Sequence, residues 1–204
     1  EAVGKAREQG FVAIRVQSGV PGVADSYGVP QGDKAYEPAK AGLPETQVWE
    51  TAPYLRYLPK LMQKVRDTFG YDFHLLHDVH HRCTPSQAAR LARDLEPYDL
   101  FWLEDPVAGE LQEGLRMIRQ HSTTPIAIGE VFNSVYDYTT LITEQLIDYV
   151  RMPLVHGGGI THLLKVAALA SVYHVQTGFH GATDLSPINF AASLHFDLAI
   201  NNFG

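Results

Sequence analysis

This sequence of 204 residues has only one cysteine, and it has neither a long apolar run nor a surplus of basic residues. Cys83 is the single cysteine, so no disulfide can form within the chain, and we expect a reducing compartment. No apolar run approaches the ~18 residues that span a bilayer, and no signal peptide is recognisable. The sequence therefore predicts a soluble, cytoplasmic protein that does not bind a membrane.

The charge balance is acidic, with 16 Lys and Arg against 23 Asp and Glu and a formal net charge of -7. Binding to nucleic acid or to an anionic membrane needs a basic surface, so the balance argues against both partners. Acidic clusters can instead hold cations. We expect a small-molecule substrate and no nucleic acid partner.

The two ends indicate a piece of something longer. Residue 1 is Glu rather than Met, and residues 1–8 have the pattern of a helix tail without a start signal. The last residues run from a predicted strand into a loop. We therefore expect the chain to be a fragment, or the ordered part, of a longer protein.

Apolar strand patterns alternate with helical patterns along the chain. No two strands are joined by a tight hairpin, which favours a parallel sheet. The predicted strands are Phe11–Val16, Phe73–Asp78, Leu100–Leu103, Ile126–Ile128, Tyr149–Met152, Val175–Thr177 and Phe196–Ile200. The predicted helices are Glu1–Gln9, Val48–Phe69, one capped by Thr84 with Pro85 at its first position, Glu110–His121, Ser134–Gln145, one from the glycines at 157–159 to about Tyr173, and a short Ile188–Leu194.

The alternation predicts an α/β barrel. A complete (β/α)₈ barrel needs roughly 250 residues. Seven strands within 204 residues fit such a barrel without its first strand, so we take residues 1–204 as one partial barrel domain. An open doubly wound sheet is the structural alternative. No G-x-G-x-x-G follows a strand, so a dinucleotide site has no support.

One long segment, Gln17–Thr46, is rich in Gly, Pro, Asp and Ser and has no periodicity. A loop of about 30 residues inside a compact domain is unusual and is more often functional than idle. Residues 17–46 are therefore predicted to form an active-site loop.

Acidic residues follow three successive strands, at Asp78, Glu104 and Glu130, and each step is 26 residues. One βα unit here has about that length, so the acids take equivalent places at the C-terminal ends of neighbouring strands, where barrel enzymes build active sites. Acids after strands also cap helices, but three in register favour a shared site. Carboxylates aimed at one point repel unless protons or a cation neutralise them, and oxygen ligands favour Mg²⁺.

Histidine and arginine side chains are predicted at the same rim. His80 follows Asp78 by two residues, so in an extended chain both point to one side and His80 becomes a candidate acid or base. His77 and His81 are expected to face away. Two arginines and a further histidine beyond other strands suit an anionic, oxygen-rich substrate, although each arginine alone also fits a salt bridge. These are Arg15, Arg151 and His180.

Several long motifs resemble the mannonate dehydratase subgroup of the enolase superfamily, and the resemblance covers essentially the whole chain. The motifs are LHDVHHRCTP (Leu76–Pro85), FWLEDP (Phe101–Pro106), TPIAIGEVFNS (Thr124–Ser134), EQLIDYVR (Glu144–Arg151), HGGGITHL (His156–Leu163) and TGFHGATDLSP (Thr177–Pro187). The resemblance implies a (β/α)₇β TIM-like barrel capped by an α+β domain, almost all of which lies outside this chain.

The resemblance also implies roles for individual residues. Mg²⁺ would hold the substrate carboxylate and stabilise the enediolate that forms when the α-proton leaves. The implied assignments are Asp78, Glu104 and Glu130 as metal ligands, Tyr27 paired with Arg15 as the base, His80 as the acid that protonates the departing 3-hydroxyl, and Arg151, His180 and Asp184 as substrate contacts.

The implied activity is that of a carbon–oxygen lyase (hydro-lyase) that converts D-mannonate to 2-keto-3-deoxy-D-gluconate, acting as a homo-oligomer. D-Gluconate or another sugar acid is an alternative substrate. A non-catalytic sensor that binds a small acid is an alternative from another class. A zinc-dependent hydrolase is a third, because residues 77–81 are rich in histidine, although zinc prefers His and Cys to Glu104 and Glu130.

Overall fold

The computed structural model describes residues 1–17, 51–181 and 185–204. Strands and helices alternate within these ranges, as the sequence predicts. The strands are Ala13–Arg15 (β1), His74–Asp78 (β2), Leu100–Glu104 (β3), Ile126–Ile128 (β4), Tyr149–Val150 (β5) and Gln176–Thr177 (β6). The helices are Ala2–Glu8 (α1), Thr51–Phe69 (α2), Pro85–Leu95 (α3), Gln112–His121 (α4), Val135–Thr143 (α5), Ile160–Val172 (α6) and Pro187–Ala199 (α7), with a 3₁₀ turn at Glu96–Tyr98.

The six strands form one sheet in which every pair is parallel and the spatial order follows the chain, from β1 to β6. A doubly wound sheet reverses its strand order at a switch point, and this sheet has no reversal within its six described strands. The barrel interpretation is therefore confirmed, in the form of a partial β/α barrel.

Alternate residues of each strand enter two different hydrophobic clusters. Leu75, Leu103 and Val150 belong to the large cluster that the helices cover. Their strand neighbours form a small inner cluster, packed against Phe101, whose members are Leu76, Trp102, Ala127 and Tyr149. This period of two is expected of strands, and it separates the helix-covered layer from the interior of the barrel.

Two helices begin with complete capping boxes. The Thr84 hydroxyl accepts from the backbone N–H of Gln87, and Gln87 Oε1 accepts from the backbone N–H of Thr84. Pro85 takes the first helical position, as predicted. Ser134 and Asp137 form the equivalent box at α5. Because each of these helices starts just beyond the C-terminal end of a strand, the caps fix where the chain leaves the rim of the barrel.

The prediction of a short helix followed by a strand at Phe196–Ile200 is wrong. Residues Pro187–Ala199 form one continuous helix, α7, and its buried positions Asn189, Ser193 and Phe196 follow helical spacing. The ring of Phe196 packs edge-on against Phe179, with 4.8 Å between centroids. The seventh strand position comes later, where Phe203 makes a single parallel bridge to β6.

None of the helices in the described ranges combines the length and the apolarity needed to cross a membrane.

A buried arginine ties α2 to the segments that enter the next two strands. Arg66 is only 4% exposed, and its guanidinium donates to the carbonyl oxygens of Tyr98 (2.7 Å), Asp99 (2.6 Å), Gly70 (3.2 Å) and Phe73 (3.3 Å). Gly70 and Asp99 both have positive φ, and they lie in the turns that lead into β2 and β3. The arginine therefore satisfies the backbone of two turns on the side of the sheet opposite the predicted site.

We expect Arg66→Lys to lower the free energy of unfolding by about 2–3 kcal/mol, because one ammonium cannot satisfy four converging carbonyls and a buried unsatisfied group costs about 1–3 kcal/mol. Arg56→Lys, at an exposed position of the same helix, is the matched control and should change stability by less than ~0.5 kcal/mol. Urea unfolding measures both variants. Equal urea midpoints for Arg66→Lys and Arg56→Lys would contradict a stabilising role for the four hydrogen bonds of Arg66.

Candidate metal and catalytic site

The three acids found by their spacing lie at the C-terminal ends of three adjacent strands. Asp78 and Glu104 are the last residues of β2 and β3 and are direct cross-strand partners. Glu130 comes two residues after β4. Their side chains are 7%, 1% and 12% exposed, respectively. The three acids, which are equally spaced along the chain, therefore lie close together at one edge of the sheet.

Asp78 is held from both sides by its neighbours. Its Oδ1 accepts from the backbone N–H of His80 at 2.7 Å, and its Oδ2 lies 3.3 Å from Arg15 Nη1 and 3.2 Å from Gln17 Nε2. Burial raises the pKa of Asp78, and the charge of Glu104 raises it further, while Arg15 opposes both. The two strand-end carboxylates are cross-strand partners with like charge, so they repel each other and a cation between them would relieve the repulsion.

Glu104 is paired with an arginine from the other side of β4. Arg151, one residue beyond β5, donates from Nε to Glu104 Oε1 at 2.9 Å and from Nη1 to the carbonyls of Gly178 and Phe179 at 2.8 and 2.6 Å. Its guanidinium also lies 5.0 Å from the ring of Trp102, and Trp102 Nε1 donates to Glu104 Oε2. Arg151 thus reaches the predicted rim, where it fixes Glu104.

Glu130 is surrounded by three imidazole rings. His180 Nε2 lies 2.8 Å from Oε2, while His81 Nε2 and His80 Nε2 lie 3.0 and 3.5 Å from Oε1. Burial raises the pKa of Glu130, but the hydrogen bonds to His180 and His81 outweigh it and leave the pKa well below its usual range. Glu130 is therefore ionised, as a metal ligand must be.

A glycine shapes the turn that presents Glu130. Gly129 has φ +137°, and a Cβ at this position would lie 3.0 Å from the ring of Tyr138 and 3.3 Å from the backbone N and O of Arg151. A larger residue would therefore clash with backbone as well as adopt a strained conformation. The turn after β4 and the start of the Arg151 segment can pack this closely only with glycine between them.

The histidines after β2 depart from the expected alternation. His80 and His81 have φ of 57° and 63°, so the chain leaves the extended conformation immediately after the strand. Consecutive left-handed residues turn both rings toward Glu130, with 5.7 Å between their centroids. His80 lies at the site, as predicted. The expectation that His81 faces away is wrong, because the alternation applies only while the chain stays extended.

His77 does face away from the acids. It is buried and bridges Val16 and Tyr54: Nδ1 lies 2.7 Å from the carbonyl oxygen of Val16, and Nε2 lies 2.8 Å from the hydroxyl of Tyr54. Burial lowers the pKa of His77 to about 4, so the ring is neutral at pH 7. Because a carbonyl only accepts, Nδ1 carries the hydrogen and Nε2 accepts from Tyr54. Both nitrogens are engaged, which removes His77 from any zinc set.

Two groups of side chains could hold a metal ion within the described ranges. Ligand atoms of Glu104, Glu130 and His180 lie within 4.8 Å of one another, and so do those of His81, Asp105 and Glu130. Asp78 belongs to neither group, although the charges of Glu104 and Glu130 raise its pKa. Buried carboxylates that repel one another suit a hard dication with oxygen ligands, so the residues fit Mg²⁺.

The structure brings most of the predicted site residues together at one rim: Arg15, Asp78, His80, Glu104, Glu130, Arg151 and His180. Asp184 lies outside the described residues. Residues 18–46 of the predicted active-site loop, which include Tyr27, also lie outside them. Sequence reasoning missed Gln17, His81 and Asp105. A signal for Asp105 existed, because it follows a strand-end acid and precedes a proline in a buried apolar stretch. Nothing in the sequence marked Gln17.

A family model described as Enolase C-terminal domain-like matches residues 1–204. A D-mannonate dehydratase of Caulobacter vibrioides is 58% identical over all 204 residues, which make up 50% of that relative. A D-galactonate dehydratase family member of Cellvibrio japonicus is 57% identical over the whole chain and 51% of its own length. The chain thus spans about half the length of the curated relatives it matches.

Solved structures agree with the sequence relatives. The crystal structure of an enolase from Pantoea ananatis with bound D-gluconate and magnesium matches with a TM-score of 0.87 and 38% identity, over 99% of this chain and 51% of that one. The resemblance to the mannonate dehydratases drawn from the motifs is confirmed by these relatives. With its parallel β/α sheet and its full-length match to the family model, the chain belongs to the Enolase C-terminal domain-like family.

Proposed function

We propose that this chain is part of the catalytic barrel of a Mg²⁺-dependent acid-sugar dehydratase, a hydro-lyase whose substrate is D-mannonate and whose product is 2-keto-3-deoxy-D-gluconate. The observation that carries the proposal is the convergence of Asp78, Glu104 and Glu130 at one rim, with His80 beside them and arginines on two sides. The names of the relatives at 57–58% identity support the reaction class.

The three carboxylates would hold the ion. When bound, Mg²⁺ supplies the positive charge that holds a substrate carboxylate and makes the adjacent C–H bond more acidic. Arg151 keeps Glu104 in place, and His180 does the same for Glu130 on its other oxygen. We propose that Arg151 and His180, together with Asp184, also contact the hydroxyl and carboxylate oxygens of the sugar acid, for which charged and imidazole donors are suited.

His80 is the proposed general acid. Its ring lies 3.5 Å from Glu130, and its backbone N–H is fixed by Asp78, so the imidazole is held at the edge of the metal site. From there it would donate a proton to the 3-hydroxyl of the substrate, which leaves as water. A histidine side chain can serve as a general acid when it reaches the leaving group.

Tyr27 is the proposed base that removes the α-proton. A free tyrosine has a pKa near ~10, too high for a base at neutral pH, and a nearby guanidinium lowers that value. Arg15 ends β1, and its guanidinium lies 3.3 Å from Asp78, so the required positive charge stands at the metal rim. A base and an acid on different elements are what an elimination of water requires.

D-Gluconate is the second candidate substrate, because the matched Pantoea ananatis structure holds D-gluconate and magnesium. The full-length protein should be screened against a panel of sugar acids that includes both, with appearance of the 2-keto-3-deoxy acid as the readout. We expect turnover of at least one, dependent on added Mg²⁺ and abolished by chelator. Tight binding of an acid without turnover would favour the sensor alternative. Zinc in the purified protein, found by metal analysis together with no turnover of any sugar acid, would favour the hydrolase.

Glu104→Gln should abolish dehydration and weaken Mg²⁺ binding by more than the ~10–100-fold typical of a residue that only supports a ligand. The amide keeps the shape of the side chain but removes the negative charge that attracts the ion. Isothermal titration with Mg²⁺ and a dehydration assay measure the two effects. The matched control is Glu113→Gln on α4, where the carboxylate is exposed and pairs with Arg116. Wild-type affinity in Glu104→Gln would contradict the assignment.

His80→Asn should slow dehydration by about 10²–10⁴-fold, the usual contribution of a general acid. Exchange of the α-proton with solvent deuterium should persist, because another residue removes that proton. Proton NMR in D₂O follows both processes in one sample. His121→Asn, at the exposed end of α4, should behave as wild type. Normal dehydration by His80→Asn would remove His80 from the mechanism.

A further inference from the structure

His81 stands between one candidate metal ligand and a buried carboxylate. Its Nε2 lies 3.0 Å from Glu130 Oε1 and 3.7 Å from Asp105 Oδ2. Its Nδ1 lies 3.3 Å from the carbonyl oxygen of Val107, and its backbone N–H donates to the carbonyl of Asp105 at 2.8 Å. The ring therefore contacts Glu130, which follows β4, and two residues of the segment that follows β3, Asp105 and Val107.

Asp105 is the most unusual group beside this ring. It is 0% exposed, and neither of its side-chain oxygens has a hydrogen-bond partner among the described residues. An unpaired buried carboxylate is costly, so such groups are retained next to a cation or a metal. The ion pair that the structure gives to Asp105 is the one with His81.

The conformation of the turn is built around this contact. His81 and Asp105 have φ of 63° and 41°, a region that non-glycine residues rarely adopt. With this backbone conformation, the imidazole of His81 contacts Glu130. Strained backbone of this kind persists where the surrounding structure holds it in place.

The contact between His81 and Glu130 determines which carboxylate oxygen of Glu130 faces the metal site. Because His81 and His80 face Oε1, Oε2 is left toward His180. His180, Glu104 and Glu130 form one of the two groups whose ligand atoms lie within 4.8 Å of one another. A glutamate side chain that loses its Oε1 partners can rotate about its last torsion, which is broad and roughly two-fold. Fixing one oxygen therefore presets the other for metal binding.

We propose that His81 and Asp105 are positioning residues: Asp105 anchors the His81 ring, and the ring fixes Glu130 in the orientation in which it binds the metal. The inference rests on the proposed function, because it assumes that Glu130 is a ligand of a dication. It assigns a role to two residues, one in the turn after β2 and one directly after β3, that support a candidate ligand from behind.

The proposal is tested by titrating the full-length protein with Mn²⁺ as the probe and following free Mn²⁺ by electron paramagnetic resonance. The variants are His81→Leu, which removes the donor, His81→Gln, whose amide N–H can still reach Glu130, and Asp105→Asn, which removes the anchoring charge. His121→Leu is the matched control. Thermal unfolding of every variant shows whether it is folded.

We expect one Mn²⁺ per site throughout, with affinity reduced about 10–100-fold in His81→Leu, less in Asp105→Asn, and largely restored in His81→Gln. Saturating metal should return most of kcat in His81→Leu, because the variant lacks only the preset orientation of Glu130. A role confined to stability would lower the melting temperature and leave the Mn²⁺ affinity unchanged. If His81→Leu does not fold, the comparison of Asp105→Asn with the wild type replaces it.

Wild-type Mn²⁺ affinity in folded His81→Leu, or in Asp105→Asn if His81→Leu is unfolded, would overturn the inference and leave the metal site itself intact. Two Mn²⁺ per site in the wild type, falling to one in Asp105→Asn, would also overturn it, since His81, Asp105 and Glu130 would then be ligands of a second ion. No Mn²⁺ binding by the wild type would instead contradict the proposed function. The two failures are thus distinguishable.

Discussion

Repulsion between buried carboxylates at the ends of adjacent parallel strands is the constraint on which the rest of this structure depends. The register of β2 and β3 places Asp78 directly opposite Glu104, and Glu130 follows on the next strand. Each carboxylate is consequently given a basic neighbour from elsewhere in the chain: Arg15, Arg151 and a group of histidines. The positions of these residues follow from the need to balance charge in a low-dielectric interior.

The parts of the fold that depend on local pattern were predictable from the sequence. The strand boundaries from β1 to β6 agree with the predictions to within two residues, because buried parallel strands leave short apolar runs between amphipathic helices. The three acids were found for the same reason. Their spacing reports the length of one βα unit, and parallel strands bring equivalent positions to the same edge.

The parts that depend on tertiary contacts were not predictable. Phe196–Ile200 has the composition of a strand, but the packing of Phe196 against Phe179 continues α7 through it. His81 was assigned to the wrong side because two successive left-handed residues cannot be inferred from their side chains. Asp105 gave only a weak signal, since a buried carboxylate without hydrogen bonds has meaning only once its surroundings are known.

The pairing of Glu104 with Arg151 has a mechanical consequence. Glu104 ends β3 and Arg151 follows β5, so their hydrogen bond connects two strands that are separated by β4. The same guanidinium also donates to the carbonyl oxygens of the two residues after β6. The same residues that balance charge therefore also help to set the curvature of the sheet. Grafting this rim onto another barrel would require the host to share that curvature, because four strands and the carboxylate geometry are adjusted to one another through a single side chain.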